Sequence, residues 1–162
     1  MTETPRGSVR AVLRETASRR VAELQARALA DDAQAIATLA RLRRCDAADV
    51  GGEPLVWAVT LGDLPDELTS FASGRRDTPT PAERAMHGVL VLYALHQQSQ
   101  DEGVHRPGTS LGFAVGKLAR ARAVNEELDS STITRLHQAA LATDLAGRLH
   151  HLRGLVQLMR AE

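Results

Sequence analysis

A nearly uninterrupted run of apolar side chains over residues 80–98 predicts a buried central helix. Thr80 is placed to cap its first turn, Pro81 suits the first helical position, and Glu83 stands where a capping box needs a carboxylate. Beyond that start the segment is apolar nearly all the way round, which is typical of a helix surrounded by other elements. We therefore expect the remaining segments to pack around this helix.

Apolar residues that recur at three- and four-residue spacing predict five further helices. Asp31 and Asp32 end the first of them, and a carboxylate there can also cap the second. The predicted helices start at Ser8, at Ala33, at Ser110, near Ser131 and at Asp144, and the first two end near residues 30 and 44.

Four residues are given particular positions in this scheme. Ile36 and Ala140 are placed on the buried sides of their helices. Gly112 is placed where the backbone of another element comes close, because glycine has no Cβ. Trp57, which apolar residues flank, is interpreted as a core anchor rather than as a platform for stacked bases.

The length of the chain suggests one domain. Residues 1–7 are expected to be a disordered tail, and residues 8–162 a single helical domain. A connector rich in Gly and Pro admits a division into two lobes of about 8–76 and 77–162.

Composition supports an all-α fold, a compact helical bundle of two packed lobes around the buried central helix. Hydrophobic residues make up 43% of the chain but aromatic residues only 2%, so the core must be built mainly from Leu, Ala and Val. The single cysteine, Cys45, excludes an internal disulfide. No segment is apolar enough to span a membrane, and no signal peptide is recognised. We therefore expect a cytoplasmic protein without a membrane partner.

The net charge is zero, but the charges are unevenly distributed. Residues 1–45 carry nine basic and five acidic side chains, residues 46–103 three and ten, and residues 104–162 eight and five. Such asymmetry is typical of a polyanion-binding face or of complementary surfaces on neighbouring subunits. Ordinary variation along a helical chain explains it equally well, so charge alone does not decide.

Two groups of cations are candidates for binding phosphate. The first is at the C-terminal end of the second helix, where cations also stabilise unpaired carbonyl groups. The second is a stripe on the last helix that recurs at four- and three-residue spacing and contains no acid: Ala146, His150, Arg153, Gln157 and Arg160. Guanidinium groups match phosphate oxygens well, although a solvated face remains an explanation for either group. The candidate nucleic-acid-binding residues are Arg41, Arg43, Arg44, Lys117, Arg120, Arg122, Arg135, Arg148, His150 and Arg153.

Catalytic and metal-binding motifs are not recognised in the sequence. It contains no Gly-rich phosphate loop, no HExxH and no paired cysteines. The six histidines are scattered or adjacent, and adjacent histidines point in different directions on a helix. We expect neither an enzyme nor a cofactor or metal.

Three segments resemble the CasB family, the small subunit of the type I-E CRISPR Cascade complex. They are residues 38–44 (TLARLRR), residues 92–97 (LYALHQ) with 108–112 (GTSLG) after a loop, and residues 149–156 (LHHLRGLV). The segments occur in the family's order, and the chain has the family's length.

The resemblance implies a non-catalytic, all-helical protein of two lobes that is present as a pair in a crRNA-guided complex with the other Cascade subunits. Its basic residues would hold the crRNA–target duplex and the displaced DNA strand, stabilising the R-loop in antiviral defence. Arg43 and Arg44 match the family's arginine pair, and Arg153 matches the basic position in the last helix. Phe113 stands where relatives often carry Arg, so a contact there would fall to Lys117 or Arg120.

Two other classes of function stay open at this point. A helix-turn-helix regulator would use residues 110–142, although the turn is long and the second helix offers one arginine. A helical scaffold or adaptor would use the charges for subunit contacts. The scarcity of aromatic residues argues against base stacking and for salt-sensitive binding of the backbone.

Overall fold

A computed structural model describes residues 6–69 and 78–161 of the chain. In these two ranges the secondary structure is helical apart from one isolated bridge between Val124 and Glu127, so the predicted all-α fold is confirmed. No helix in the described ranges is long and apolar enough to cross a membrane. The helices are α1 (Arg6–Leu29), α2 (Ala33–Leu42), α3 (Trp57–Thr60), α4 (Pro81–His96), α5 (Leu111–Ala121), α6 (Ser130–Leu141) and α7 (Leu145–Arg160), with 3-10 turns at Pro54–Val56 and Asp66–Leu68.

Helix α4 is the predicted central helix. The hydroxyl of Thr80 accepts a hydrogen bond from the backbone N–H of Glu83 at 3.0 Å. The carboxylate of Glu83 in turn accepts one from the N–H of Thr80 at 2.6 Å, so the predicted capping box is confirmed. Ten of the sixteen residues of α4 are buried, which confirms that other elements cover most of the helix.

Two hydrophobic clusters meet along α7. The main cluster joins α1, α2 and α4 to Leu149 and Val156 of α7. The smaller cluster joins α5 and α6 to Leu155 on another side of α7. Helix α4 thus packs with α1 and α2 across the predicted boundary near residue 77, and the division into lobes stays a prediction.

The helix boundaries differ from the predicted ones by a few residues. Helix α1 begins at Arg6, so two residues of the predicted tail are helical, and residues 1–5 lie outside the described residues. The predicted cap of α2 is confirmed, because the carboxylate of Asp32 accepts hydrogen bonds from two backbone N–H groups. The connector at residues 70–77 lies outside the described residues as well.

One residue in each of two short helices was placed on the wrong side, although Leu39 and Leu42 of α2 are buried as predicted. Ile36 is 43% exposed, and the buried stripe of α2 passes instead through Ala35, at 1%. Likewise Ala140 is exposed and Ala139 is buried. In both helices the packing of neighbouring elements, rather than the local apolar pattern, decides which of two adjacent positions is buried.

Trp57 is not a core anchor. Its side chain is 44% exposed, and its indole N–H donates a hydrogen bond to the carbonyl oxygen of Val50 at 3.2 Å. The buried position next to it is taken by Val56, which is completely inaccessible to solvent. An indole held by its polar edge covers a loop here rather than filling the core.

The close approach expected at Gly112 occurs instead at Gly88 of α4. A Cβ on Gly88 would lie 2.7 Å from Cδ2 of Leu149 and 3.3 Å from the carbonyl oxygen of Ala47. A Cβ on Gly112 would have no atom within 4 Å. Gly88 therefore lets α7 and the loop after α2 approach α4 together.

Replacing Gly88 with Ala should destabilise the protein. Overpacking of this kind costs about 1–3 kcal/mol, and the better helix propensity of alanine offsets at most about 1 kcal/mol. We expect the free energy of unfolding, measured with a chemical denaturant, to fall by roughly 1–2 kcal/mol. Gly116→Ala is the matched control, because a Cβ there meets nothing within 4 Å and the substitution should stabilise α5. Equal effects of the two substitutions would contradict the close contact.

Candidate nucleic-acid interface

The arginine cluster predicted at the end of α2 is held against α4. Arg43 is half-buried, and its Nε donates a hydrogen bond to the carbonyl oxygen of Ala94, in the last turn of α4, at 3.2 Å. Burial lowers the pKa of Arg43, and the positive charge of Arg160 lowers it further. Arg43 is thus fixed between two helices close to a second cation.

That second cation comes from the end of α7. Nη1 of Arg160 donates a hydrogen bond to Oε1 of Gln98 at 2.6 Å, just after the end of α4. Arg43 and Arg160 therefore converge on the C-terminal end of α4, where unpaired carbonyls favour positive charge. Two neighbouring guanidinium groups also favour an anion that both can contact, and phosphate suits their geometry.

The loop that follows α2 is anchored to α4 by a buried histidine. Nε2 of His87 lies 3.0 Å from the backbone carbonyl oxygen of Asp46. Because a carbonyl only accepts, this nitrogen carries the proton and donates. His87 is completely inaccessible, so the loop is held in the space between α4 and α7.

Two adjoining cavities meet at Asp46. The first, about 220 Å³, lies between this loop and α7, and its walls include His150 and Arg153. The second has a similar volume and is bounded by Arg44 and the carboxyl-bearing residues Asp46, Asp49 and Glu53. Arg44 from the end of α2 lines one cavity, Arg153 from α7 lines the other, and Asp46 lines both. The basic residues of the two helices thus border adjoining cavities, whose three carboxylates outnumber the two arginines.

We call the converging residues the α2–α7 cations. They lie at the end of α2 or on the predicted stripe of α7. His150 is exposed, and its ring meets that of His151 edge to face, with centroids 5.4 Å apart. Arg160 was part of the predicted stripe but not of the candidate set, because its closeness to Arg43 depends on how α7 crosses α4. The α2–α7 cations are Arg43, Arg44, Arg153 and Arg160, and His150 lies beside Arg153 in the lining of the first cavity.

Two candidate arginines bind the protein's own structure. Arg148 donates to the carbonyl oxygens of Ala139 and Ala142, at 3.3 and 3.0 Å, and so caps the end of α6. Nε of Arg122 lies 3.5 Å from Oδ2 of Asp129, between α5 and α6. Both side chains therefore have a structural role, whatever else they contact.

The four remaining candidates lie on exposed surfaces. Arg135 extends from α6 to α7, where its Nη1 would lie 3.2 Å from a Cβ on Gly154. Arg41 is exposed at the end of α2, while Lys117 and Arg120 are exposed on α5. The ten candidates thus form three groups, on α2 with α7, on α6, and on α5. Their assignment to nucleic acid stays a prediction.

Asp129 holds the start of α6. Hydrogen bonds from the hydroxyls of Thr132 and Ser131 lower the pKa of Asp129 to about 2. The same carboxylate caps the helix through two backbone N–H groups. It thus fixes the turn between α5 and α6 and the position of Arg122.

These features define a class of protein: an all-α bundle in which arginines from two helices border cavities that also carry carboxylates. Among the described residues, no group of three His, Cys, Asp or Glu side chains could hold a metal ion. The turn between α5 and α6 spans residues 122–129, longer than the three or four residues typical of a helix-turn-helix.

Comparison with known proteins identifies the family. The sequence profile described as "CRISPR-associated protein Cse2" matches residues 38–162. The structure is similar to the crystal structure of CasB from Thermobifida fusca, with a TM-score of 0.67 and 30% sequence identity over 93% of this chain and 78% of that chain. No curated protein matches the sequence.

The chain therefore belongs to the Cse2 (CasB) family, as the resemblance implied. The family is that of the non-catalytic small subunit of CRISPR Cascade, which associates with other Cascade components. This assignment favours the Cascade hypothesis over a free-standing DNA-binding regulator.

Replacing Asp129 with Asn should remove part of the acid sensitivity of the fold. The pKa of Asp129 is depressed in the folded state, so its stabilising effect is complete above about pH 4, the ordinary value, and is lost as the pH falls towards 2. Asn can still cap the helix but does not titrate. In thermal unfolding followed from pH 5 to pH 2, the variant should therefore lose less stability than the wild type. Asp101→Asn, in an exposed loop, should behave as the wild type does. Parallel pH profiles of D129N and the wild type would contradict this assignment.

Proposed function

We propose that this chain is a nucleic-acid-holding small subunit of Cascade. In this proposal it works in the cytoplasm beside a second copy and the other subunits, and contacts the crRNA–target duplex and the displaced DNA strand. By holding these strands it stabilises the R-loop and thereby serves antiviral defence. The supporting observation is the convergence of the α2–α7 cations, which come from helices far apart in the sequence.

The physical demands of the role are modest. In RNA-guided recognition, base pairing with the guide supplies the sequence specificity, so a supporting subunit needs only shape and positive charge. Arg43 and Arg160 are brought close by packing and by hydrogen bonds to neutral acceptors. Their charges therefore remain available to a phosphate, which would also relieve their mutual repulsion.

Asp46 limits where the backbone can lie. Asp46 is exposed and lines both cavities, and its carboxylate accepts a hydrogen bond from the N–H of Ala48 at 2.9 Å. A phosphate at the centre of the two cavities would meet this negative charge. We therefore place the backbone along the outer edge of the cavities, where the arginines can extend past the carboxylate.

A second candidate function is that of a scaffold, which the exposed apolar residues favour. Leu55 is 65% exposed and Leu141 is 79% exposed. Apolar side chains on a surface suit contacts with other subunits. In that case the arginines would contact other subunits, and neutralising them would leave the affinity for DNA unchanged.

The two functions are separated by the double substitution Arg44→Gln with Arg153→Gln. Glutamine removes the charge but keeps a polar side chain, and neither arginine makes an ion pair within the described part of the chain. In assembled Cascade, we expect weaker target binding. The slope of log affinity against log salt should become shallower by about 0.7–0.9 for each phosphate that the variant no longer binds.

Arg14→Gln is the matched control, since Arg14 is exposed on α1, away from both cavities. It should leave the affinity and the salt slope as they are. If the double variant binds its target with the wild-type slope, the scaffold function is favoured instead.

A further inference from the structure

One exposed face of α5 carries an aromatic side chain among cations. The helix buries Val115, Leu118 and Ala119 against its neighbours. Its opposite side bears Phe113, which is 64% exposed, with Lys117 and Arg120 four and seven residues further on. Residues at this spacing share one side of a helix. We call this surface the α5 face, which consists of Gly112, Phe113, Gly116, Lys117 and Arg120.

Two glycines, Gly112 and Gly116, leave the helix backbone of the α5 face without side chains over it. A Cβ on Gly112 or Gly116 would meet no atom within 4 Å, so internal packing does not require glycine at either position. Glycine inside a helix costs about 1 kcal/mol relative to alanine. Without side chains at these two positions, a flat group can lie beside Phe113 and close to the helix.

The charges of the α5 face are all positive. Neither Lys117 nor Arg120 makes a salt bridge within the described part of the chain. Lysine is depleted in protein–protein interfaces, which argues against a buried contact with another subunit. A single exposed apolar residue is ordinary, but an aromatic ring with two cations on its own side of a helix matches a base next to its phosphates.

We infer that Phe113 is a stacking platform for an unpaired base of single-stranded nucleic acid, with Lys117 and Arg120 binding the adjoining phosphates. This inference rests on the proposed function. It specifies an unpaired strand, because a base within a duplex is already stacked on both sides. Every base has a flat face, so the contact is independent of sequence. The scarcity of aromatic residues argues against stacking as the general mode of binding, and Phe113 is the exception inferred here. The α2–α7 cations are expected to contact only the backbone of the nucleic acid.

The test uses assembled Cascade and two pre-melted targets that differ only in the displaced strand. One strand is thymidine throughout its unpaired region, and the other has the same sugar–phosphate backbone without bases. The ratio of the two dissociation constants reports contacts to bases. Phe113→Ala should reduce the preference for the thymidine strand by about 5- to 150-fold for one stacked base. It should leave affinity for the abasic strand unchanged.

Phe113→Leu and Phe113→Trp are the matched variants. Leucine keeps an apolar side chain but has no flat ring, so it should lose the preference as alanine does, whereas tryptophan should keep it. Lys117→Gln should weaken binding of both strands equally. The inference is overturned if F113L behaves as the wild type, or if F113A drops out of the assembled complex on size-exclusion chromatography. Either result would mark the α5 face as a contact with another protein subunit.

The outcome is independent of the test of the α2–α7 cations. The double variant R44Q with R153Q should weaken binding of the thymidine and abasic strands to the same extent. The ratio of the two dissociation constants should therefore stay unchanged. If that variant has no effect while F113A removes the preference, the α2–α7 assignment fails and the α5 face stands. If F113A has no effect while the double variant weakens binding of both strands, the inference about Phe113 fails and the assignment of the α2–α7 cations is supported.

Discussion

The arrangement of the molecule depends on the close contact between α4 and α7 at Gly88. Because this residue has no Cβ, Leu149 and the carbonyl group of Ala47 both approach the backbone of α4. The neighbouring His87 then donates a hydrogen bond to the carbonyl group of Asp46. One turn of α4 thus positions the last helix and the loop after α2 together. Within the described residues, the basic side chains at these two places are brought together by packing and hydrogen bonds rather than by ion pairs between α2 and α7.

Features of the fold that depend on local interactions could be predicted from the sequence. The start of α4 is fixed by the reciprocal hydrogen bonds of Thr80 and Glu83, which lie in the same turn, and the Thr80 hydroxyl also donates to the carbonyl oxygen of Leu68 at 2.7 Å. The rotational phase of a short helix depends on its neighbours instead. For this reason Ile36 was placed inside, although the structure buries Ala35. Likewise the sequence does not distinguish Gly88, which neighbouring elements crowd, from Gly112, which is open.

For the candidate site, too, the local features could be predicted from the sequence and the tertiary contacts could not. The spacing of His150, Arg153 and Arg160 shows that they share a side of α7, because helix periodicity is a local property. The approach of Arg160 to Arg43 is not local, since it requires α7 to cross α4 in one particular way. Nor does spacing show that Arg148 is bound to carbonyl groups at the end of α6. Sequence patterns find the cations, and tertiary packing decides which of them remain available to a ligand.

A chain without net charge can still offer arginines to a ligand, because several of its carboxylates lie at helix starts. Asp32, Asp129 and Asp144 each accept hydrogen bonds from backbone N–H groups at the start of a helix, where the helix dipole favours negative charge. Glu83 does the same within its capping box. Exposed charges further apart than about 8 Å are largely screened at physiological salt. Carboxylates held at helix starts therefore do little to neutralise arginines at distant helix ends. The acids whose positions matter for a bound phosphate are those that line the two cavities, Asp46, Asp49 and Glu53.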